Sequence, residues 1–441
     1  VPETRDEALE MGMADALISK LSGAGEITVR PLSTVRRFGG SDQDAVAAGR
    51  ELGVQAVMDG NIQISGDRLR VTASLIRVSD QKQLWTGKFD EKLTDIFSVQ
   101  DSISSKVASE LRIPLTSLRR DSHTDNIEAY QLYMKGVYHA QRLVLPEVQK
   151  GIMYFEQAIA LDPDYAQAYV GLSQAYRAMV LTNDAPSNEI MPRSKTATQK
   201  ALELDPMLAD AWTGLAISDF WYDWDSHTAE SHHLKALELD PKSAMSHFYY
   251  AHMLSNTGRH EEALAEIRRA REIDPVLPVI NALEGQILTF AGRYDDALTI
   301  LRETTEANPD FWLAHLFLAR AYLIKGMYAE ALASATKARE LARGNSEATA
   351  AIGRALVKLG RRDEALNVMS ELEGRAKKGF VPSYALAQIN LAIGNRTKAL
   401  ELLGRGTDEH DALMVFLKVD PEWDELRSDA RFMQIMKQLN F

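Results

Sequence analysis

The 441-residue sequence contains no cysteine. That absence removes disulfides, thiolate zinc sites, iron–sulfur clusters and cysteine nucleophiles together. It leaves the compartment open, because a thiol-free chain suits oxidising and reducing surroundings alike. Long apolar runs are missing as well: none approaches the ~18–20 residues that span a bilayer. Positive charge is in deficit, with 50 Lys+Arg against 62 Asp+Glu and a net of −12. A field of that sign repels phosphate, so no nucleic-acid contact by this chain is expected. The sequence opens at Val1 with neither a basic n-region nor an apolar h-region, which reads as a fragment or processed chain whose natural start lies upstream. What is present is ordinary globular material, 45% apolar and 25% charged, enough for two to four domains or one domain plus a repeat array.

A composition shift divides the chain near residues 115–128. Before it, β-branched runs alternate with helical segments. Ile113 to Asp125 reads IPLTSLRRDSHTD, a Pro-, Ser- and charge-rich linker. Beyond it the chain is rich in Ala, Leu and Glu. There a tripeptide of an apolar residue, Asp or Asn, and Pro recurs at Leu161-Asp162-Pro163, Leu204-Asp205-Pro206, Leu239-Asp240-Pro241, Ile273-Asp274-Pro275 and Ala307-Asn308-Pro309, with prolines 43, 35, 34 and 34 residues apart. Between them small residues recur at fixed places, as at Ala319 and Ala331, where they let two helices approach. Gly326 supplies a chain reversal, and each proline ends one helix and opens the next.

This pattern resembles the tetratricopeptide repeat, a 34-residue helical hairpin. About seven units are counted over 129–410. Residues 411–441 are expected to form a capping helix, with Trp423, Leu426, Phe432, Ile435, Met436 and Leu439 covering the last unit.

The first 115 residues read as α+β. A helical stripe runs through Leu9, Met13, Ala16, Leu17 and Leu21. Ile27–Pro31 reads as a short strand, and Ser41-Asp42 as the cap of a helix from Gln43 to Leu52. Val54–Ser65, Arg68–Val78 and Gln83–Phe89 read as a meander, and Thr94–Leu111 as a closing helix. The stretches "GMADALISKLS", "ITVRP" and "AAGRELGVQAVMDGNIQISGDRLRVTASLIRVSDQKQLWTGKFDEKLTDIFSVQDSISSKVASEL" resemble the domain related to the amino-terminal domain of TolB and to FlgO. The expected fold is thus a small α+β domain over 1–115, a linker over 116–128, and an all-α tetratricopeptide superhelix. The resemblance implies a bacterial module that stands before such repeats. It commonly follows a winged-helix DNA-binding domain with one transmembrane helix, and less often a class III nucleotide cyclase or a Ser/Thr kinase.

Reactive constellations are weak. Gly23-Ala-Gly25 lacks the lysine of a phosphate loop and reads as a turn. His260-Glu261-Glu262 has no second histidine. Asp223, Asp225, His227, His232 and His233 could ligate zinc by residue type but fall at a turn between helices, where solvated polar groups are expected. Ser334-Ala-Thr-Lys337 matches a Ser-x-x-Lys pattern without its companion motifs. The carboxylates Asp162, Asp205, Asp240 and Asp274 read as solvated helix ends, and Arg36-Arg37 as a surface pair. No catalytic, cofactor or metal residue is assigned, and the chain is expected not to be an enzyme.

The repeat resemblance implies a concave groove lined by the first helix of each unit. Carried over, the groove places are Phe220, Trp221, Met245, Phe248, Tyr249, His252, Leu283, Gln286, Phe290, Leu316, Phe317 and Arg320. The known carboxylate-clamp pattern is not present, so an apolar or amphipathic protein segment is the expected partner. Occupation by the chain's own N-terminal domain, or simple packing between helices, stays open. The leading reading is the interaction and sensory C-terminal region of a winged-helix transcriptional regulator in bacteria. It would lie on the periplasmic side of a membrane-anchored protein, with a cytoplasmic place also open. The alternatives are the regulatory region of a cyclase or kinase, and a cell-envelope assembly scaffold.

Overall fold

Alternation along one strand organises the N-terminal part. In Arg68–Arg77 every second side chain (Leu69, Val71, Ala73, Leu75) is buried and the residues between face outward, as a sheet with one covered face requires. The computed structural model describes residues 7–22, 27–35, 38, 44–114, 124–142, 145–182 and 185–440. They form two compact units. The first is Val1–Arg142, Lys150–Gly171 and Ile273–Leu277; the second is Leu143–Gln149, Leu172–Glu272 and Pro278–Phe441.

In the first unit, α1 (Glu7–Ser22), α2 (Leu32–Val35) and α3 (Ala45–Glu51) precede β1 (Ala56–Ser65), β2 (Arg68–Arg77) and β3 (Gln83–Lys92). The strands make an antiparallel meander in the order β1-β2-β3. Helix α4 (Ile96–Glu110) follows and buries Ile96, Val99, Ile103 and Val107 in one core with Leu9, Met13, Leu17 and Leu21 of α1 and the inward residues of β2. Two expectations change. Ile27–Pro31 forms no strand; Ile27 and Val29 pack against the core without joining a ladder. The cap of α3 is Asp44, whose side chain accepts from Val46 N at 2.8 Å, whereas Ser41-Asp42 lies outside the described residues, as do Gly23-Ala-Gly25, Arg36-Arg37 and 115–123 of the linker stretch.

The same core continues past that stretch. Helix α5 (Ile127–Ala140) inserts Tyr130 and Met134 into it. The Tyr130 hydroxyl donates to the Gly12 carbonyl at 3.0 Å and accepts from Gln100 Nε2 at 3.0 Å. A Cβ at Gly12 would collide with the Met134 side chain, so the missing side chain is what lets α1 and α5 approach. The first helix of the repeats is therefore part of the sheet domain's core.

Helices α6 (Leu145–Leu161) and α7 (Ala166–Thr182) lead into the second unit. There α8 (Ser187–Leu204), α9 (Ala209–Trp221), α10 (Ser226–Leu239), α11 (Ala244–Asn256), α12 (His260–Ile273), α13 (Pro278–Phe290), α14 (Tyr294–Ala307), α15 (Trp312–Lys325), α16 (Tyr328–Leu341), α17 (Ser346–Lys358), α18 (Arg362–Ala376), α19 (Ser383–Ala392) and α20 (Arg396–Asp408) follow in helix–turn–helix sequence. Counting from α5, the described residues hold eight hairpins where the sequence spacing gave about seven. The last three, α15–α16, α17–α18 and α19–α20, lack a closing apolar-Asp/Asn-Pro tripeptide, so the proline spacing does not fix their number. Gly326 ends α15 at φ 81°, and Gly258, Gly292, Gly360 and Gly394 take the same left-handed turn in other hairpins, a conformation that costs glycine little. Ala319 and Ala331 are fully buried where α15 meets α16.

The helix-ending aspartates share a local bond: Asp162, Asp205 and Asp240 each accept from the backbone N–H two residues on, at 3.1, 2.9 and 3.1 Å. Asp274 departs from the expected solvated state. It is fully buried and accepts from the Thr34 hydroxyl within the first unit.

Candidate partner-binding groove

The groove places sit on the first helices of successive hairpins, and most are covered. Phe220, Trp221, Phe248, His252, Leu283, Gln286, Phe290, Leu316, Phe317 and Arg320 are buried, while Met245 and Tyr249 are half-buried. Most of the aromatic row is thus closed to solvent. The cover comes from the C-terminal end of the chain. In place of one capping helix, residues 411–438 form three short pieces: a 3₁₀ turn at Ala412–Phe416, a second at Pro421–Leu426, and α21 (Ala430–Gln438). Each is capped by an aspartate, Asp411, Asp420 and Asp429, whose carboxylate accepts a backbone N–H two residues on.

Phe416 lies among the side chains of the inner helices. Its ring centroid is 5.9 Å from Trp221, 5.6 Å from His252, 6.1 Å from Phe290 and 6.4 Å from Tyr384. The Arg320 guanidinium stands 5.3 Å from the Phe416 ring and 5.7 Å from Phe290, within cation–π range. Trp221 and His252 stack at 4.7 Å. Four residues past Phe416, Asp420 is buried 4.0 Å from Arg320 and accepts from the Tyr384 hydroxyl at 3.3 Å. Glu422 meets Arg354 at 2.5 Å and accepts from Gln388 at 2.7 Å. Trp423, fully buried, donates to Tyr384 at 3.0 Å. Further along, His410 stacks on Trp224 at 4.8 Å, and Asp411 accepts from Tyr384 N at 2.9 Å.

Burial sets the electrostatics. His252 is carried down to about 3 by desolvation, with Arg320 adding to the effect. Glu422 is pushed up to about 7 because desolvation and Asp420 together outweigh Arg354, which pulls the other way. Breaking either buried pair would strand a charge, at a cost of about 3–5 kcal/mol.

The reactive-residue candidates disperse into structural roles. Asp223 pairs with Lys195; Asp225 caps α10, accepting from Thr228 N at 3.0 Å; His232 Nδ1 is 2.7 Å from Asp219; His233 is buried. Among the described residues no cluster of three or more His, Asp or Glu could hold a metal ion. Ser334 and Lys337 lie on α16, and His260 opens α12.

The groove-filling segment was missed in the sequence, yet signals exist. Val419-Asp420-Pro421 repeats the tripeptide that ends the earlier hairpins, and Asp411, Asp420 and Asp429 are evenly spaced by nine, which suits three short capped turns better than one helix.

Family models described as tetratricopeptide repeat match residues 234–265, 283–346 and 323–379. The chain carries tetratricopeptide repeats. In sequence these repeats follow a small three-stranded antiparallel sheet. A protein of Rhizobium meliloti (strain 1021) bearing the name adenylate cyclase 3 is 27% identical over 166 residues, 37% of this chain and 28% of that protein. The human protein O-mannosyl-transferase TMTC3 is 32% identical over 104 residues, 24% of this chain and 10% of that one. The matched stretches span less than a third of either relative. Among solved structures, Cut9 with Hcn1 of the APC/C matches with TM-score 0.49 and 14% identity, covering 72% of this chain and 57% of that one. Yeast Tom70 matches at 0.43 and 16%, covering 72% and 69%. The pilF protein of Pseudomonas aeruginosa matches at 0.37 and 21%, covering 47% and 90%.

Proposed function

We propose that this chain is the non-catalytic interaction and sensory region of a bacterial signalling protein. Its repeats hold a protein segment along their inner wall, and a TolB-amino-terminal or FlgO-like module forms the first unit. A winged-helix transcriptional regulator, anchored in the membrane with this region on the extracytoplasmic side, is the whole protein in this reading. The observation that carries the binding role is the seating of Asp411–Leu426 against the inner helices through Phe416, Asp420, Glu422 and Trp423. An irregular segment held by aromatic and carboxylate anchors is the kind of ligand such a wall accepts. Binding alters output only if it favours one arrangement of the protein over another. Among the described residues no helix is long and apolar enough to cross a membrane, so any anchor in this reading lies outside them.

Half-buried Tyr249 and Met245 mark where a partner segment would lie. A photo-crosslinking residue at Tyr249 in the natural protein should capture a protein partner, and one at exposed Leu234 of α10 should not. Capture at Leu234 alone would move the site to the outer surface.

A second reading keeps this region but attaches it to a nucleotide cyclase. The stretch similar to the cyclase-named protein of Rhizobium meliloti supports it. Sequencing the gene upstream of Val1 separates the two: a winged helix favours the first and a cyclase core the second.

A further inference from the structure

Arg177 is a buried cation whose contacts are hydroxyls; the one carboxylate that acts on it among the described residues, Asp210, does so from beyond ion-pair distance. It lies on α7, five residues past Leu172, the place that Phe220 holds after Leu215 on α9, so the repeat register puts it in the groove row. It is 5% exposed. Arg320 and Arg354, the other buried arginines of the groove row's later helices, face Glu347, Asp420 and Glu422. Arg177 meets only hydroxyls: its Nη1 donates to Ser173 Oγ at 2.6 Å and to Ser194 Oγ at 3.3 Å. It makes no ion pair with a carboxylate among the described residues. Burial takes the group down to about 10, because desolvation outweighs Tyr249 and Asp210, which pull the other way.

The remaining donors are the telling part. Nε and Nη2 make no hydrogen bond within the described residues, and neither is among the sealed polar atoms. Both therefore keep some contact with solvent. Gly214 of α9 makes room there: a Cβ would stand 2.9 Å from Nη1 and 3.2 Å from Nη2. The Tyr249 hydroxyl, kept neutral by burial, lies within electrostatic reach of Arg177 and makes no hydrogen bond among the described residues.

We propose that Arg177 is a recognition site for a single carboxylate. A guanidinium with two free N–H-bearing nitrogens on one edge matches a carboxylate's two oxygens. The same inner wall already holds carboxylates on its other buried arginines. A chain of net −12 disfavours a doubly charged phosphate more than a singly charged carboxylate. The carboxylate comes from an acidic side chain of a partner segment or from a free small acid. The inference shares Tyr249 with the partner-binding wall proposed above, and the acetate arm tests it without a protein segment.

Thermal-shift and calorimetric titrations of the whole chain use three probes: sodium acetate, sodium phosphate, and the peptide FLKVDPEW beside its Asn/Gln version, with sodium chloride as the ionic-strength control. Acetate should raise the melting temperature more than chloride does. Arg177→Met keeps the aliphatic stem and should abolish that response while leaving the chain at least as stable. Tyr249→Phe should weaken it. A response to the acidic peptide that exceeds its amide version identifies a protein segment as the source; a response to acetate alone identifies a free acid. The loss in Arg177→Met should be about tenfold or more in affinity, as for a charge-assisted bond. No response beyond chloride, a response to phosphate alone, or an unchanged response in Arg177→Met would each overturn the assignment.

Discussion

Trp423 donates its indole N–H to the hydroxyl of Tyr384 across 3.0 Å, and both side chains are fully buried. This bond joins the C-terminal segment to the first helix of the last hairpin. It turns what a repeat pattern presents as an open wall into a packed interior. Tyr384→Phe should leave Trp423 Nε1 and Asp420 short of a partner, and unpartnered buried polar groups cost about 1–3 kcal/mol each. Urea unfolding should show a loss of that order. An unchanged midpoint would mean that the segment is not seated there in solution.

Ala331 is fully buried where α15 meets α16. Ala331→Leu should overpack that contact by about 1–3 kcal/mol, read as a lower melting temperature with helix content kept. An undisturbed melting curve would count against the helix pairing.

Acid should act through two histidines. Burial takes His233 and His252 down to about 3, whereas an unfolded histidine titrates near ~6.5. Below that value the unfolded chain binds protons that the folded one does not. Their contribution is therefore complete above ~6.5 and is lost as pH falls toward 3. Ring resonances of both should show no protonation at pH 5 by NMR; titration near 6.5 would contradict their burial.

Glu422 works in the opposite sense. Its folded value is raised to about 7, so the folded chain keeps a proton that the unfolded one releases above ~4.3. Its contribution falls as pH rises from there to about 7. Glu422→Gln should gain on the wild type across that window in urea midpoints. A difference independent of pH would show that Arg354 keeps the carboxylate ionised.

Tyr130 ties the first repeat helix to the sheet domain through Gly12 and Gln100. A chain cut after residue 126 loses Tyr130 and Met134 from its core and should unfold with low cooperativity, whereas one cut after residue 171 should not. Equal cooperativity in both would make the sheet domain independent of α5.

Much of the fold is written locally. The alternation in β2, the stripes of α1 and α4, the recurring Asp-Pro and the turn glycines each report a period or a backbone conformation, and each can be read from neighbours in sequence. The strand expected at Ile27–Pro31 failed because a strand needs a partner ladder, which five residues cannot announce. The groove was half legible: its row of residues follows from repeat register, but its cover does not. The same register applied to α7 points to Arg177, a place the aromatic pattern drew attention away from.

By itself the sequence determined the hairpins, because helix, turn and small-residue spacing are local chemistry repeated at one interval. Only the tertiary structure decided that Phe416 and Trp423 lie inside the wall formed by α9 to α19, and that the hydrogen bonds of Arg177 go to hydroxyls and not to a carboxylate. Those facts depend on which residues far apart in the chain come within a few ångströms, and burial and charge pairing are properties of that proximity rather than of any run of residues.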